Sequence, residues 1–477
     1  MLFCLKLYNQ EGVFMLAGFA EIEFTPASGN TPGGFTPVYS KGKDENGLYS
    51  NVAAFTSGGE SVILISMDVL SFHAEYCNAM KKRINEATGV PEKNILIAAI
   101  HTHSSTSTEY QLWLCPPDVE LTDMIADKTV EAAIEAWNNR KEAKLGVGTT
   151  YNNKYNFCRD FYLTNGDIAM NPGYDREDLV SPVTTPDHSV NVMRVDDVDG
   201  NIKCFIVNYA NHPCCHEKRA EFKHKFSADF PGYLRGSLKE KYGKDVKVLF
   251  FTGPAGDVNC IDYENGTSKI FKEPETSERK AIGEALANDV EELNPRIFAT
   301  FTEPVIQSKS EIHKTVRRKK TPEMLEWAKA NMERAKTEEL STRRLAFSTE
   351  YLEPDDPNEP DTVDIEIHTI QIGPWAIVGL PGEIFTEIGK KIKANSPYAR
   401  TVVFELANGT NGYISPDYIQ DSTAYEAKFS KYNSFTGKGT ADMLVRESTR
   451  MLGELKAKDN ELRFTDPNQS WRKCNVN

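Results

Sequence analysis

Asn94-Ile-Leu-Ile-Ala-Ala-Ile100-His101-Thr102-His103 is the stretch on which the fold turns. Its apolar run is too short for a helix and follows the breakers Gly89 and Pro91, so it reads as a strand buried on both faces. A helical pattern over 74–87 precedes it, and before that residues 61–67 (Ser-Val-Ile-Leu-Ile-Ser-Met) form a second buried strand. Further along, 123–138 has the spacing of an amphipathic helix and 144–149 that of a strand. Residues 190–195, 201–209 and 246–252 read as strands, and 278–293 as a helix. This alternation predicts an α/β fold: a mixed β-sheet core flanked by helices in a single large catalytic domain over 15–460.

The character changes between about 312 and 364. Thr321-Pro322 opens a charged helix running to about residue 340, and Pro354-Asp-Asp-Pro-Asn-Glu-Pro360 is a proline-broken loop. This region reads as a helical insertion, after which 363–372 and 375–380 return the chain to the main body as strands. A last amphipathic helix covers 441–455. Residues 1–14 form a leader, and 461–477 a C-terminal tail.

Composition limits the function. The 477 residues are 40% hydrophobic and 26% charged, with a formal net charge of -14. That balance argues against nucleic acid as a partner, because phosphate binding rests on clustered Lys and Arg. The run Arg317-Arg318-Lys319-Lys320 is read as a solvated face. No apolar stretch approaches the ~20 residues of a membrane span, and the leader lacks a signal peptide's continuous apolar core. Nine scattered cysteines suggest reduced thiols and a cytoplasmic location. The sequons at Asn265 and Asn408 carry no weight without secretion, and oligomeric state is left open.

The chemistry concentrates where apolar strands end, which is where ligands bind in open α/β sheets. One strand ends in Asp68, the next in His101 and His103. The 201–209 strand runs into Asn211-His212-Pro213, and 246–252 into Gly253-Pro-Ala-Gly-Asp257-Val-Asn259. The 375–380 strand runs into Pro381-Gly382-Glu383. Residues two apart on a strand face the same side, so both imidazoles of His101-Thr-His103 can reach one cleft. Each motif alone also fits a hydrogen-bonded strand end; together they favour a metal. Two neutral imidazoles with a carboxylate suit zinc and leave a position open for water. Cys214-Cys215-His216 competes for that role, but adjacent cysteines chelate poorly and no Cys-x-x-Cys partner exists. No serine-hydrolase elbow, phosphate-cradling loop or His-Glu-x-x-His helix is present.

At these residues the chain resembles the catalytic N-terminal domain of the neutral (non-lysosomal) ceramidase family. The matching segments are 99–104, 208–213, 227–232, 253–259 and 380–383. Asn171-Pro-Gly173 fits the shorter bacterial members. Together they span most of 15–455 in order. The resemblance implies a zinc ion held by His101, His212, Glu383 and a tyrosine that best matches Tyr413, with Tyr418 and Tyr425 close by. It also implies that His103 stands beside the metal and that Arg159 faces the substrate. His103 and a tyrosine, here Tyr425, would stabilise the oxyanion or pass protons. Asp257 would orient a ligand or loop.

Two departures matter. Asn259, followed by Cys260, stands where the family carries a serine, so Asn259 can donate a hydrogen bond but cannot attack. Family members are also longer, with an immunoglobulin-like C-terminal domain. The expected activity is zinc-dependent hydrolysis of a small-molecule amide, with a lipid as the family's substrate. The alternatives are a soluble acylated sugar or amino-acid derivative cleaved as an ester or amide, and a metal-binding protein without turnover.

Overall fold

The computed structural model describes residues 14–32, 37–109, 115–173, 176–215, 217, 219–263 and 277–465. The leader, apart from residue 14, lies outside them, as do the tail beyond 465, Asn265 and His216. The first half of the chain builds β1 (Met15–Glu23), β2 (Tyr49–Ser57), β3 (Glu60–Met67), α1 (Ala74–Thr88), β4 (Ile95–Ala99), α2 (Val119–Asn138) and β5 (Lys141–Tyr151). It continues through β6 (Ser189–Asp197), β7 (Ile202–Tyr209), α3 (Phe230–Tyr242), β8 (Lys247–Thr252) and α4 (Glu278–Leu293).

These strands form one eight-stranded sheet in the order β8-β7-β6-β5-β1-β2-β3-β4. Its interior pairings are antiparallel, while β3/β4 and β7/β8, at the two edges, are parallel. A parallel pair needs a crossover, and α1 and α3 supply the two. Strand twist accumulates across so wide a sheet and brings its two ends together. The Thr252 hydroxyl donates to Ile100 O at 2.7 Å, and the Ser66 hydroxyl to Phe250 O at 2.6 Å. The sheet coils without closing, and the residues just past β4 and β7 meet.

A second sheet, of four strands, is built from β9 (Ile306–Val316), β10 (Thr362–Ile372), β11 (Trp375–Gly379) and β12 (Thr401–Phe404), in that order. Around it lie α5 (Pro322–Arg334), α6 (Thr342–Leu352), α7 (Thr386–Asn395) and α8 (Thr440–Thr465). Side-chain alternation sorts the core into three slabs. On β3, Ile63, Ile65 and Met67 pack toward α1–α4, whereas Val62 and Leu64 pack toward the second sheet. On β10, Ile370 and Ile372 face the large sheet, and Ile365 and Ile367 face the second helical layer. The architecture is therefore helix, sheet, sheet, helix.

The mixed sheet flanked by helices agrees with the sequence reading, but some details differ. Residues 312–316 and 362–364 belong to the long antiparallel strands β9 and β10, and only the connection between them is helical. That connection holds two helices, not one. The second starts where the Ser341 side chain accepts from Arg344 N, an N-cap signal that the charged flanking residues obscure. The 317–320 basic run is no solvated face. Arg317 pairs with Glu359 at 3.4 Å and Lys320 with Asp355 at 2.8 Å. The guanidinium of Arg318 donates to Ala427 O and the Ser434 hydroxyl. The run clamps the proline-broken loop and the 427–434 loop. Asp68, at the end of β3, is spent on a buried pair with Arg235 at 2.8 Å.

Candidate metal centre and its cavity

Strand β4 ends at Ala99, two residues short of the histidines. His101 holds a positive φ of 71°, a left-handed turn that is uncommon outside glycine. The two imidazoles therefore reach the cleft from a turn and not, as strand alternation suggests, from one face of a strand. His101 and His103 lie 5.0 Å apart by ring centroid, and His101 and His212 4.4 Å. The ligating atoms of all three lie within 4.8 Å of one another, a grouping that could hold a metal ion.

Glu383 arrives from the other sheet. The segment Glu383–Ile384 pairs in parallel with Tyr413–Ile414, so Glu383 and Tyr413 are direct neighbours across a two-residue ladder. Glu383 Oε2 lies 3.2 Å from His101 Nε2 and 4.0 Å from His212 Nε2. The residues that the resemblance assigned to zinc thus converge, two from past the large sheet and two from past the small one.

The hydrogen bonds around the cluster leave three of its polar atoms bare. His101 Nδ1 donates to Leu70 O at 2.9 Å, so Nε2 is the ring atom turned toward the cluster. His101 Nε2, His103 Nδ1 and Glu383 Oε2 are buried without a hydrogen-bond partner. Orphaned buried polar atoms are costly unless something occupies the space between them. Burial, then the neighbouring His101 and Arg159, holds His212 far below the usual imidazole range; burial, His101, Arg159 and Arg279 do the same to His103. Burial pushes the Glu383 carboxyl up, but His101, a hydrogen bond from the Tyr413 hydroxyl and Arg159 outweigh it and hold it below its ordinary value. Neutral imidazoles on His103 and His212 beside an ionised Glu383 are protonation states that suit a divalent cation. The residues present fit a metal.

The surrounding shell was only partly anticipated. Arg159 is fully enclosed: its guanidinium pairs with Glu426 at 2.7 Å and donates to Tyr413 OH at 3.0 Å and Gly256 O at 2.6 Å. It anchors the tyrosine as much as it faces the cavity. Glu426 has no motif to betray it. Tyr425 stacks edge-on against Tyr413 at 5.7 Å and lines the cavity, with its hydroxyl donating to Asn433 Oδ1 at 2.7 Å. Tyr418 lies apart, bonded to Glu387 at 2.9 Å, which leaves Tyr413 beside Glu383. The Asp257 carboxylate accepts from Thr386 N at 2.8 Å and does not line the cavity; it fixes the start of α7. Asn259 does line it, donating to Asn171 Oδ1 at 2.8 Å while its own Oδ1 accepts from Ile261 N. Asp229 caps α3 by accepting from Phe230 N at 2.7 Å.

The cavity above the cluster has a volume of about 460 Å³. Three thiols, Cys214, Cys215 and Cys260, face it. Burial raises Cys214 and Cys215 well above the ordinary thiol range, so they are protonated and poor ligands at neutral pH. All seven cysteines among the described residues are free. Asn408 is buried and bonded to Glu366 at 3.0 Å, which removes its sequon from consideration.

A four-layer α/β protein with a buried histidine–carboxylate cluster at the seam of its two sheets is the class that fold and site define. Among solved structures, the chain is similar to neutral ceramidase from Pseudomonas aeruginosa, with a TM-score of 0.68 and 14% identity over 94% of this chain and 75% of that one. It is also similar to a ceramidase complexed with C2, with a TM-score of 0.67 and 14% identity over 94% and 76% of the two chains. No protein-family model and no curated protein matches the sequence. The chain has the neutral ceramidase fold along nearly its whole length. No helix among the described residues is long and apolar enough to cross a membrane.

Proposed function

We propose that this chain is a zinc-dependent amide hydrolase of the neutral ceramidase kind, with the ion held by His101, His212, Glu383 and Tyr413. The observation that carries the reading is the pair of bare, buried ligating atoms His101 Nε2 and Glu383 Oε2, 3.2 Å apart, beside His212, which with Tyr413 lines the cavity. A bound zinc ion would supply Lewis acidity and an activated water at neutral pH.

The chain's own groups supply the rest. In R–CO–NH–R′ + H₂O the C–N bond breaks, a C–O bond forms, and the leaving nitrogen gains a proton. His103 Nε2 lies 3.0 Å from His212 Nε2. His212 Nδ1 donates to Ala255 O at 3.4 Å, so the one lone pair of His212 Nε2 is the one that would take the ion, and with zinc bound the Nε2 hydrogen of His103 would be freed from that contact. His103 can then donate a hydrogen bond from Nε2 to the oxyanion, and the proton gained by the leaving nitrogen is the one the attacking water gives up. Arg159 holds the Tyr413 hydroxyl in place. Asn259, tied to Asn171, presents an amide to the cavity but no nucleophile.

Metal analysis after zinc loading should find about one equivalent per chain, and chelation should abolish hydrolysis of a panel of N-acyl substrates. His101→Ala and His212→Ala should each lose metal and activity while remaining folded. Wild-type turnover in either variant, or no bound metal after loading, overturns the reading.

A further inference from the structure

The cavity wall carries a charge opposite to that of the molecule. The chain's net charge is -14, yet Arg159, Arg279, Lys223 and Lys225 face the cavity against one carboxylate among the described residues, Glu217. Most of these charges are already matched: Arg159 by Glu426 at 2.7 Å, Arg279 by Asp229 at 3.3 Å, Glu217 by Arg219 at 2.8 Å. Lys223 and Lys225 make no ion pair among the described residues, so no described carboxylate matches these two positive charges at the cavity.

Their mount is built. Phe226, beside Lys225, is fully buried, and Phe222, beside Lys223, packs under Arg219 at 4.5 Å. The backbone between them is zipped to residues 41–44: Lys41 N donates to His224 O at 3.3 Å, Phe226 N to Gly42 O at 3.0 Å and Asp44 N to Phe226 O at 2.9 Å. His224, between the lysines, keeps a φ of 59°, a conformation that persists only where its surroundings over-determine it. An acidic protein that holds two ammonium groups unmatched by any described carboxylate at one cavity attracts anions there and repels them elsewhere.

We propose that the cavity takes acyl amides whose polar end carries an anionic group, a carboxylate or a phosphate, and that Lys223 and Lys225 select it. This rests on the hydrolase reading and names its substrate class. N-octanoyl-glycine and N-octanoyl-ethanolamine phosphate are to be compared with neutral N-octanoyl-ethanolamine, using zinc-loaded wild type and the Lys223→Ala/Lys225→Ala double variant. The anionic-to-neutral ratio of kcat/KM should fall roughly ten-fold in the double variant, mainly through KM, since each solvent-exposed charge contact is worth a few-fold. The same ratio should fall in wild type across a salt series from about 20 to about 300 mM, as screening sets in. The anion with the larger lysine-dependent change identifies the head group. A ratio indifferent to both salt and the lysines overturns the inference and leaves the hydrolase reading standing. If nothing is hydrolysed, the hydrolase reading fails. Calorimetric binding of the same amides then decides the inference: weaker anion binding in the double variant supports it, equal binding overturns it.

Discussion

His368 offers the most direct quantitative test of how the site is mounted. It lies on β10, fully buried, between Ser308 (2.8 Å from Nε2) and the Asn408 amide (3.0 Å from Nδ1). Ser308 spends its own hydrogen on Lys93 O, so His368 donates from Nε2 and accepts at Nδ1. Asn408 in turn completes the open edge of β4, the strand that delivers His101: its Oδ1 accepts from Ile97 N at 3.1 Å and its backbone N donates to Ile97 O at 2.6 Å. Protonating His368 places two hydrogens face to face at Nδ1. Burial, then the charge of Lys81, lowers its pKa from 6.5 to about 4, against the opposing pull of Glu366. A folded-state value below the unfolded one means stability that is full above pH 6.5 and lost as pH falls through the folded value. At 1.36 kcal/mol per unit, wild type should lose about 2.5 kcal/mol to this group between pH 7.5 and pH 4.5. Urea unfolding followed by tryptophan fluorescence at several pH values, on wild type and His368→Gln, isolates the effect, because the other acid-sensitive groups are common to both. The variant should be less stable at pH 7.5, yet flatter by about 2.5 kcal/mol over the same range. Parallel pH profiles would refute the argument.

Other consequences can be checked as directly. Gly256→Ala would put a methyl carbon 2.7 Å from Glu383 O, so it should shift that ligand and weaken zinc binding at least ten-fold while circular dichroism stays native. Arg159→Met leaves Glu426 buried and unpaired, next to Asp160, whose carboxylate burial and the Glu426 charge already drive far up. Denaturant unfolding should show a loss of about 3–5 kcal/mol. Zinc at 1,000 times its dissociation constant should stabilise wild type by about 4 kcal/mol, read as a rise in Tm, and should leave Tm of Glu383→Ala nearly unmoved.

The elements that place the histidines are legible in the sequence because they are extreme. The runs at 61–67, 94–100, 201–209 and 246–252 are buried on both faces, and that continuous apolarity gives strands away. His212 and Glu383 stand out because a polar, chelating residue directly after such a run is conspicuous. What is not legible depends on accumulated geometry. The coiling that brings the two edges of the large sheet together is a sum of small twists with no local signature. The positive φ of His101 is imposed by tertiary contacts, so alternation mispredicted how the imidazole arrives. Glu426, Lys223 and Lys225 sit in polar loops where charged residues are ordinary, and only their partners, or lack of them, distinguish them. Asp68 shows the converse error: a strand-end carboxylate with the right pattern that the fold uses for Arg235.

The candidate ligands come from both sheets: His101 and His212 follow strands of the large one, while Glu383 and Tyr413 flank the small one. About three hundred residues separate the first from the last, so the centre is an extreme case of non-local contact. During synthesis the histidines leave the ribosome long before their carboxylate and phenol partners exist. A cation captured early would be held by imidazoles alone, weakly and reversibly. Tight capture would wait until the two sheets have docked. With the proposed zinc, metal loading would be a checkpoint on completed folding, and a chain truncated before residue 413 should be recognisable by its inability to retain the ion.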